Sequence, residues 1–272
     1  MNAQPSPRRL AGQNALVTGA NSGIGEGIAR ELAAEGANVA VNYVVQPEVA
    51  QKICDEINGA GAGKAFAVQA DVSREDQVQA MFAEVVRQFG ALDIVCSNAG
   101  IQRDARLVDM TLAQWNQVIG VNLTGAFLVA REAAREFIRR GMRDVSCALG
   151  KIIFTSSVHQ EIPWAGHCNY ATTKGGMMQL MESIAQELAP QKIRVNSICP
   201  GAIETAINTR AWNTPQAAAS LKKLIPFGRI GVPADIARVA AWLASDEADY
   251  ICGASIYVDG GMTLYPGFAT GG

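Results

Sequence analysis

Tyr170 and Lys174 stand four positions apart in Tyr170-Ala-Thr-Thr-Lys174, a spacing that puts both side chains on one face of a helix. A phenol beside an ammonium group can move a single proton. Oxidising an alcohol requires the oxygen to lose its proton as hydride leaves the carbon, and reducing a ketone returns both. A phenol of ordinary pKa, about 10, is a poor base at neutral pH. Lowering it by ~3 units takes roughly 4 kcal/mol of preference for phenolate, within reach of a cation a few ångströms away in a partly dry cleft. The expectation is that Lys174, helped by the positive charge of an oxidised hydride-accepting cofactor, lowers Tyr170. Taken alone, a pair with this spacing is more readily two solvated side chains on a helix surface, so its surroundings must decide.

A second group of residues points the same way. Thr18-Gly19-Ala20-Asn21-Ser22-Gly23-Ile24-Gly25 falls where a short apolar strand ends and a helix begins. Glycines there let the backbone turn tightly against a pyrophosphate, which rests on the positive end of the following helix. A dinucleotide is therefore the expected cofactor. An acid about 20 residues further on would mark NAD, and an arginine there NADP. Val41-Asn42-Tyr43-Val44-Val45-Gln46 offers neither, and no Arg or Lys lies between Ala40 and Gln51. Without a cation a 2′-phosphate lacks its charge-assisted bonds, so the expected cofactor is NAD(P), leaning to NAD.

The elements that must hold these groups alternate along the chain. Ala15–Thr18, Asn38–Asn42, Ala65–Val68, Leu92–Cys96, Lys151–Thr155, Arg194–Ile198 and Ala254–Val258 read as seven short strands, apolar on both faces as buried parallel strands are. Helical stretches lie between them, at Gly25–Glu35, Gln46–Asn58, Arg74–Phe89, Leu112–Arg140, Tyr170–Leu188 and Ala234–Ser245, with Ser73 and Asp76 read as a capping box for the third. This alternation predicts an α/β fold, a single-domain, Rossmann-like, doubly wound parallel sheet with helices on both faces. One domain is expected over residues 11–272, behind a flexible tail at 1–10. Residues 141–150 read as a surface loop, and 204–227 as a lid with a short helix at Pro215–Lys223.

Composition narrows the classes. With 49% hydrophobic residues the 272-residue chain can bury a large core. A net charge of −2 with scattered basic residues leaves no face for nucleic acid. No apolar run approaches the ~20 residues of a membrane span, and the start lacks a signal-peptide core, so a cytoplasmic location is expected. Six dispersed cysteines without C-x-x-C, and only two histidines, predict reduced thiols and no metal site. Cys168, two residues before Tyr170, is the one placed near chemistry.

The turn Gly19-x-x-x-Gly23-x-Gly25 resembles the T-G-x-x-x-G-x-G turn of short-chain dehydrogenases/reductases, and further matches follow in order. Asp71-Val72 matches the pair that lies beside the adenine, and Asn98-Ala99-Gly100 the segment after the fourth strand. Ser157 matches the serine that holds the substrate oxygen. Asn122, in Val121-Asn122-Leu123-Thr124-Gly125, matches the asparagine that orders a water in the proton relay. Pro200-Gly201-Ala202-Ile203-Glu204-Thr205 matches the segment that binds the nicotinamide carboxamide through the Ile203 backbone and the Thr205 hydroxyl. The resemblance spans about Gly12 to Gly261. It implies a catalytic set of Asn122, Ser157, Tyr170 and Lys174, with Tyr170 and Lys174 also touching the nucleotide. Nucleotide contacts are further implied at Gly19, Asn21, Ser22, Gly23, Ile24, Gly25, Tyr43 and the matched segments. It also implies a homotetramer built on the helices at 112–140 and 170–188.

Within that family, Ser156 to Trp164, Lys174 to Met177, Pro200 to Ile203 and Asp259 to Pro266 look similar to bacterial glucose 1-dehydrogenases. The implied substrate is an aldose, met by Ser157, His159, Tyr170 and Gln102, with Glu161 on the same loop. Gln102 replaces an acidic residue of the sugar enzymes. Trp164, Trp212 and the lid suit the rival reading, a carbonyl or 3-oxoacyl-thioester reductase. A nucleotide-binding protein without catalysis is the third reading, and the complete set of four residues argues against it.

Overall fold

In the computed structural model, which describes residues 8–264, the seven expected strands are present with ends moved by at most two residues. They are β1 (Asn14–Val17), β2 (Asn38–Tyr43), β3 (Ala65–Gln69), β4 (Ile94–Ser97), β5 (Gly150–Thr155), β6 (Ile193–Pro200) and β7 (Ser255–Val258). All pair in parallel, in the order β3-β2-β1-β4-β5-β6-β7. The described helices are α1 (Gly23–Ala34), α2 (Pro47–Ala60), α3 (Glu75–Phe89), α4 (Leu112–Ile119), α5 (Gly125–Arg140), α6 (Cys168–Leu188), α7 (Pro215–Lys222) and α8 (Pro233–Ala244).

Successive strand residues face opposite cores, as the two-residue period of a strand requires. Ala15 and Val17 of β1 pack with Ile28 and Leu32 of α1, Ile53 of α2 and Ile236 of α8. Leu16, between them, packs with Phe82 of α3, Phe137 of α5 and Met181 of α6. Each face of the sheet is thus covered by three helices, the doubly wound arrangement expected. Chain order reverses at β1, which has β2 on one side and β4 on the other. Ligands of open α/β sheets bind outside the carboxyl ends of the strands at such a point.

Four expectations need correction. The stretch Leu112–Arg140 is not one regular helix: a π-helical turn, Gly120–Thr124, separates α4 from α5, and the Gly125 N–H reaches back to the Gly120 carbonyl. The capping box at Ser73 and Asp76 does not form. The Ser73 N–H and hydroxyl both donate to Asp71 Oδ1, at 2.9 and 2.7 Å, and α3 starts after Arg74 without a side-chain cap. The nearer Asp71 captures the serine in a local turn. Arg9 and Leu10, expected in a flexible tail, are held in place: Leu10 is fully buried and Arg9 pairs with Glu35 at 2.6 Å. The loop at 141–150 is more than surface: Arg143 pairs with Asp93, Ser146 donates to Asp246 at 2.6 Å, and Leu149 is buried. The lid segment holds a 3-10 turn, Ala206–Ala211, and α7, close to the helix expected there. Residues 1–7 of the expected tail, and Tyr265 and Pro266 of the sugar-enzyme match, lie outside the described residues.

Candidate active site

The glycine turn is built for close approach. Gly19 and Gly23 have φ of +59° and +55°, the left-handed region that favours glycine. A Cβ on Gly19 would lie 3.0 Å from the Ala99 Cα, and one on Gly25 would strike the Gly19 carbonyl and the Asn98 amide. The turn is pinned to the two strands that flank β1, namely β2 and β4. The Thr18 hydroxyl accepts from the N–H groups of Asn98 (2.9 Å) and Ala99 (3.0 Å), Asn98 Nδ2 donates to the Thr18 carbonyl (2.9 Å), and the Gly19 N–H donates to Asn42 Oδ1 (3.1 Å). Ser22 precedes α1 without capping it through its side chain, which leaves first-turn N–H groups available to an anion. This cradle fits a dinucleotide pyrophosphate.

Around the cradle the matched residues divide by burial. Val72 is buried under the β3 end against Gly125, while Asp71 holds Ser73. Tyr43 ends β2 partly exposed. Asn42 is fully committed: besides accepting from Gly19, its amide donates to the carbonyls of Val68 (3.2 Å) and Ala70 (3.1 Å). Gly100 lies next to Asn122, and Asn21 turns away to the Val45 carbonyl at 2.9 Å. After β6, Ile203 is buried and bridges to Gly231, and Thr205 packs over Gly23. The Thr205 hydroxyl donates to Asn208 at 2.9 Å, an internal partner that the sequence does not announce.

The four implied catalytic residues converge at the carboxyl ends of β4 and β5. Tyr170 sits on the first turn of α6, and the side chains of Ser157 and Gln102 lie near enough to its hydroxyl to favour the phenolate. Lys174, buried one turn later, has its Nζ 5.5 Å from the centre of the Tyr170 ring and donates to the Thr155 carbonyl at 2.8 Å. Asn122 sits in the π-turn, fully buried. Its Oδ1 accepts from the Ile101 N–H at 2.8 Å, and its Nδ2 donates to the Ile101 carbonyl at 3.0 Å and the Thr173 hydroxyl at 3.3 Å. Thr173 in turn donates to the Tyr170 carbonyl at 2.7 Å. The π-turn thereby ties the Asn122 amide to the helix that carries Tyr170 and Lys174. Such turns recur at functional sites because the extra residue re-aims a side chain.

Electrostatics correct one expectation. In the free protein Tyr170 is raised, not lowered: burial disfavours the phenolate first, bonds from Ser157 oppose it, the Asp104 carboxylate adds to the rise, and Gln102 opposes it again. The same burial pushes Lys174 down to about 8. A low-dielectric site favours the neutral form of both groups, so the lysine does not by itself deliver a phenolate.

The substrate side holds an arrangement the sequence reading missed. Trp164 is stacked between the chain's two histidines, 4.2 Å from His159 and 3.5 Å from His167 between ring centres. Tyr170 meets both His159 and Trp164 edge-on, at 6.4 and 6.2 Å. His167 pairs with Asp104 at 3.2 Å, and His159 Nδ1 bonds to the Ile162 carbonyl at 3.0 Å. Burial lowers His159. Glu161 points away from this wall and accepts from the Tyr257 hydroxyl. Cys168 turns to the Met110 sulfur, 3.7 Å away, and Cys199 is the thiol whose charge would bear on Lys174. His167 and Asp104 gave no signal in the sequence because they come from two separate loops, one after β4 and one before α6.

Comparison with known proteins agrees with this geometry. A family model described as enoyl-(acyl carrier protein) reductase matches residues 19–263. The chain is 45% identical to 3beta-hydroxysteroid dehydrogenase 1 of Eggerthella lenta over 262 residues, covering 96% of this chain and 98% of the relative. It is 41% identical to glucose 1-dehydrogenase 2 of Bacillus subtilis over 258 residues (94% and 97%). It is 42% identical to the 3-oxoacyl-[acyl-carrier-protein] reductase FabG of Staphylococcus aureus over 252 residues (93% and 98%). Among solved structures, a gluconate 5-dehydrogenase from Burkholderia cenocepacia, in complex with NADP and tartrate, superimposes with a TM-score of 0.86 at 35% identity, covering 95% of this chain and 98% of that one.

Proposed function

The chain belongs to the short-chain dehydrogenase/reductase family, whose members act on CH–OH or carbonyl groups, and on that premise we propose that it interconverts a secondary alcohol on an apolar ring with its ketone, preferring NAD. The observation that carries the chemistry is the Tyr170 hydroxyl flanked by Ser157 and Gln102, with Lys174 beneath its ring. A bound nicotinamide supplies or accepts the hydride. In reduction, Tyr170, kept neutral by burial, gives its proton to the carbonyl oxygen while the Ser157 hydroxyl donates to the same oxygen. Lys174, mostly protonated at neutral pH, then stabilises the phenolate. In oxidation Tyr170 must first be deprotonated, and Asn122 anchors the route by which the proton leaves. The turn from Gly19 to Gly25 would hold the pyrophosphate, Tyr43, Asp71 and Val72 the adenosine end, and Asn98, Ala99, Gly100, Pro200, Gly201, Ile203 and Thr205 the nicotinamide end.

Three relatives of nearly equal identity act, by their names, on a steroid, a sugar and an acyl thioester, so similarity alone does not choose the substrate. The side chains that suggested sugar are engaged internally: Glu161 with Tyr257, and His159 with the Ile162 carbonyl and the Trp164 stack. The Trp212 indole N–H is satisfied by Asn208 at 3.1 Å, which leaves Trp212 and Ile207 as apolar material on the lid. These features support an apolar ring. An aldose is the second reading, favoured by Gln102, whose amide reaches the Tyr170 hydroxyl and can serve a neighbouring hydroxyl. NAD is supported by the β2 end, where Asn42 is spent on the glycine turn and Val44 and Val45 are exposed.

The deciding experiment is a panel of fused-ring secondary alcohols, aldoses, β-ketoesters and their redox partners, each with NAD and NADP. The highest kcat/KM is expected on a ring alcohol with NAD. Turnover of aldoses alone would overturn the substrate, and a tenfold preference for NADP would overturn the cofactor. A homotetramer and a cytoplasmic location are proposed with this reading. Exposed Leu107, Val108, Leu112 and Phe127 in and before α4 and α5 support the first, and six free cysteines the second.

A further inference from the structure

Gln160 is nine-tenths buried, three residues beyond Ser157, and its carboxamide bonds to four side chains. Its Oε1 accepts from the Ser156 hydroxyl at 2.8 Å and the Cys199 thiol at 3.2 Å, and its Nε2 donates to the Ser255 hydroxyl at 3.2 Å and the Tyr257 hydroxyl at 2.9 Å. The Tyr257 hydroxyl in turn donates to Glu161, the residue after Gln160. The partners come from different places: Ser156 directly follows β5, Cys199 lies near the end of β6, and Ser255 and Tyr257 belong to β7. One planar group thus fixes three strand ends to the 3-10 turn Val158–Gln160.

That turn is the mount of Ser157. The Gln160 N–H donates to the Ser157 carbonyl at 3.1 Å, and the Ser157 hydroxyl caps the turn by accepting from the His159 N–H at 3.2 Å. The Ser157 hydroxyl also faces Tyr170. Its position relative to the phenol therefore depends on where the turn sits, and the polar bonds holding the turn to the sheet converge on Gln160. A buried amide with every partner in place resists displacement, because each broken bond leaves an unpaired polar group in a dry site. We propose that Gln160 is a positioning residue for the reaction: through its four side-chain partners it holds Ser157 at the geometry in which Ser157 and Tyr170 address one substrate oxygen. Hydride and proton transfer are steep in such geometry, and misplacement by about 1 Å costs on the order of a hundredfold.

The test compares the full-length wild type with Gln160→Met and Tyr257→Phe on the best alcohol of the panel above. Methionine keeps the volume and loses every polar bond; Tyr257→Phe loses only the bond to Gln160 and the tie to Glu161. In Gln160→Met, kcat falls tenfold or more while nucleotide affinity, read by NADH fluorescence titration, stays within twofold. The primary deuterium isotope effect on kcat rises as hydride transfer becomes limiting. Tyr257→Phe shows the same pattern at two- to fivefold. A Gln160→Met protein that keeps its kcat, or loses kcat and nucleotide affinity in parallel, overturns the proposal. Should Gln160→Met fail to fold, Tyr257→Phe decides, and an unchanged kcat and isotope effect in it overturn the proposal.

Discussion

Replacing Tyr170 by Phe removes one oxygen and leaves its helix as it was. The Tyr170 N–H donates to Asn169 Oδ1 at 2.7 Å and its carbonyl accepts from Thr173, and neither bond involves the phenol. The edge-on contacts with His159 and Trp164 belong to the ring and persist. Loss of the hydroxyl and its polar contacts costs on the order of 1 kcal/mol of stability, so the variant should fold and melt near the wild type. The pins of the glycine turn, from Thr18, Asn42 and Asn98, are untouched, and NADH affinity should stay within about threefold. What disappears is the proton donor and acceptor, a loss of about 10²–10⁴-fold in kcat, or roughly 3–5 kcal/mol of transition-state stabilisation. The pH dependence should vanish with it. Burial holds the phenol above its ordinary range, so the wild-type phenolate fraction grows about tenfold per pH unit below its pKa, and oxidation should climb from pH 6 to 9 while reduction favours the lower end. Initial rates in both directions, with a fluorescence titration and a melting curve, measure all of this. A variant keeping more than a tenth of wild-type kcat, or a flat wild-type oxidation profile, would refute the assignment of Tyr170.

Lys174→Met should lower kcat at least tenfold and also weaken nucleotide binding, measured by the same titration; unchanged affinity would remove the lysine's second role. Lys151, pushed down to about 8 by burial, sits below the 10.5 of an unfolded lysine, so the unfolded chain binds more protons between those values and stability rises with pH across that window. Subtracting denaturation free energies of Lys151→Met from wild type at pH 7.5 and 9.5 should show wild type gaining roughly 2 kcal/mol, and parallel curves would contradict it. The exposed apolar residues around α4 and α5 predict a tetramer in light scattering at micromolar concentration, against which a stable monomer would count.

The parts of this molecule legible in its sequence are those whose physics is local. Strands announce themselves by short β-branched runs, and the glycine turn by positions where only glycine fits, so Gly19, Gly23 and Gly25 could be placed before any coordinates. Tyr170 and Lys174 were legible because a helical period of four joins them. The π-turn at Gly120–Thr124 was not, since its cause is the pairing of Asn122 with Ile101 and Thr173, 21 and 51 residues away. Ser73 was misread as a cap because Asp71, equally local, competes for it. The Gln160 clamp is largely tertiary, since Cys199, Ser255 and Tyr257 reach it from β6 and β7; the Trp164 stack joins residues of one short segment, but that loop has no helical or strand period to announce it.

The two buried lysines show why geometry has to be read before charge. Both are buried and both are pushed to about 8 by the same cause, and a perturbed pKa taken alone nominates each as a functional residue. They serve opposite ends of one strand. Lys151 lies at the start of β5, where its Nζ donates to Gln13 at 2.7 Å and to Ser146 and stands 3.9 Å from Asp246. Lys174 reaches the last residue of the same strand through the Thr155 carbonyl. In an open parallel sheet the ligand crevice lies beyond the carboxyl ends, so only Lys174 has a titratable partner in the cleft, Tyr170. Lys151 meets a glutamine, a serine and a carboxylate that close the 141–150 loop onto the core. Under the proposed function, the same desolvation therefore works at one end of β5 to tune a proton transfer, and at the other only to make stability depend on pH.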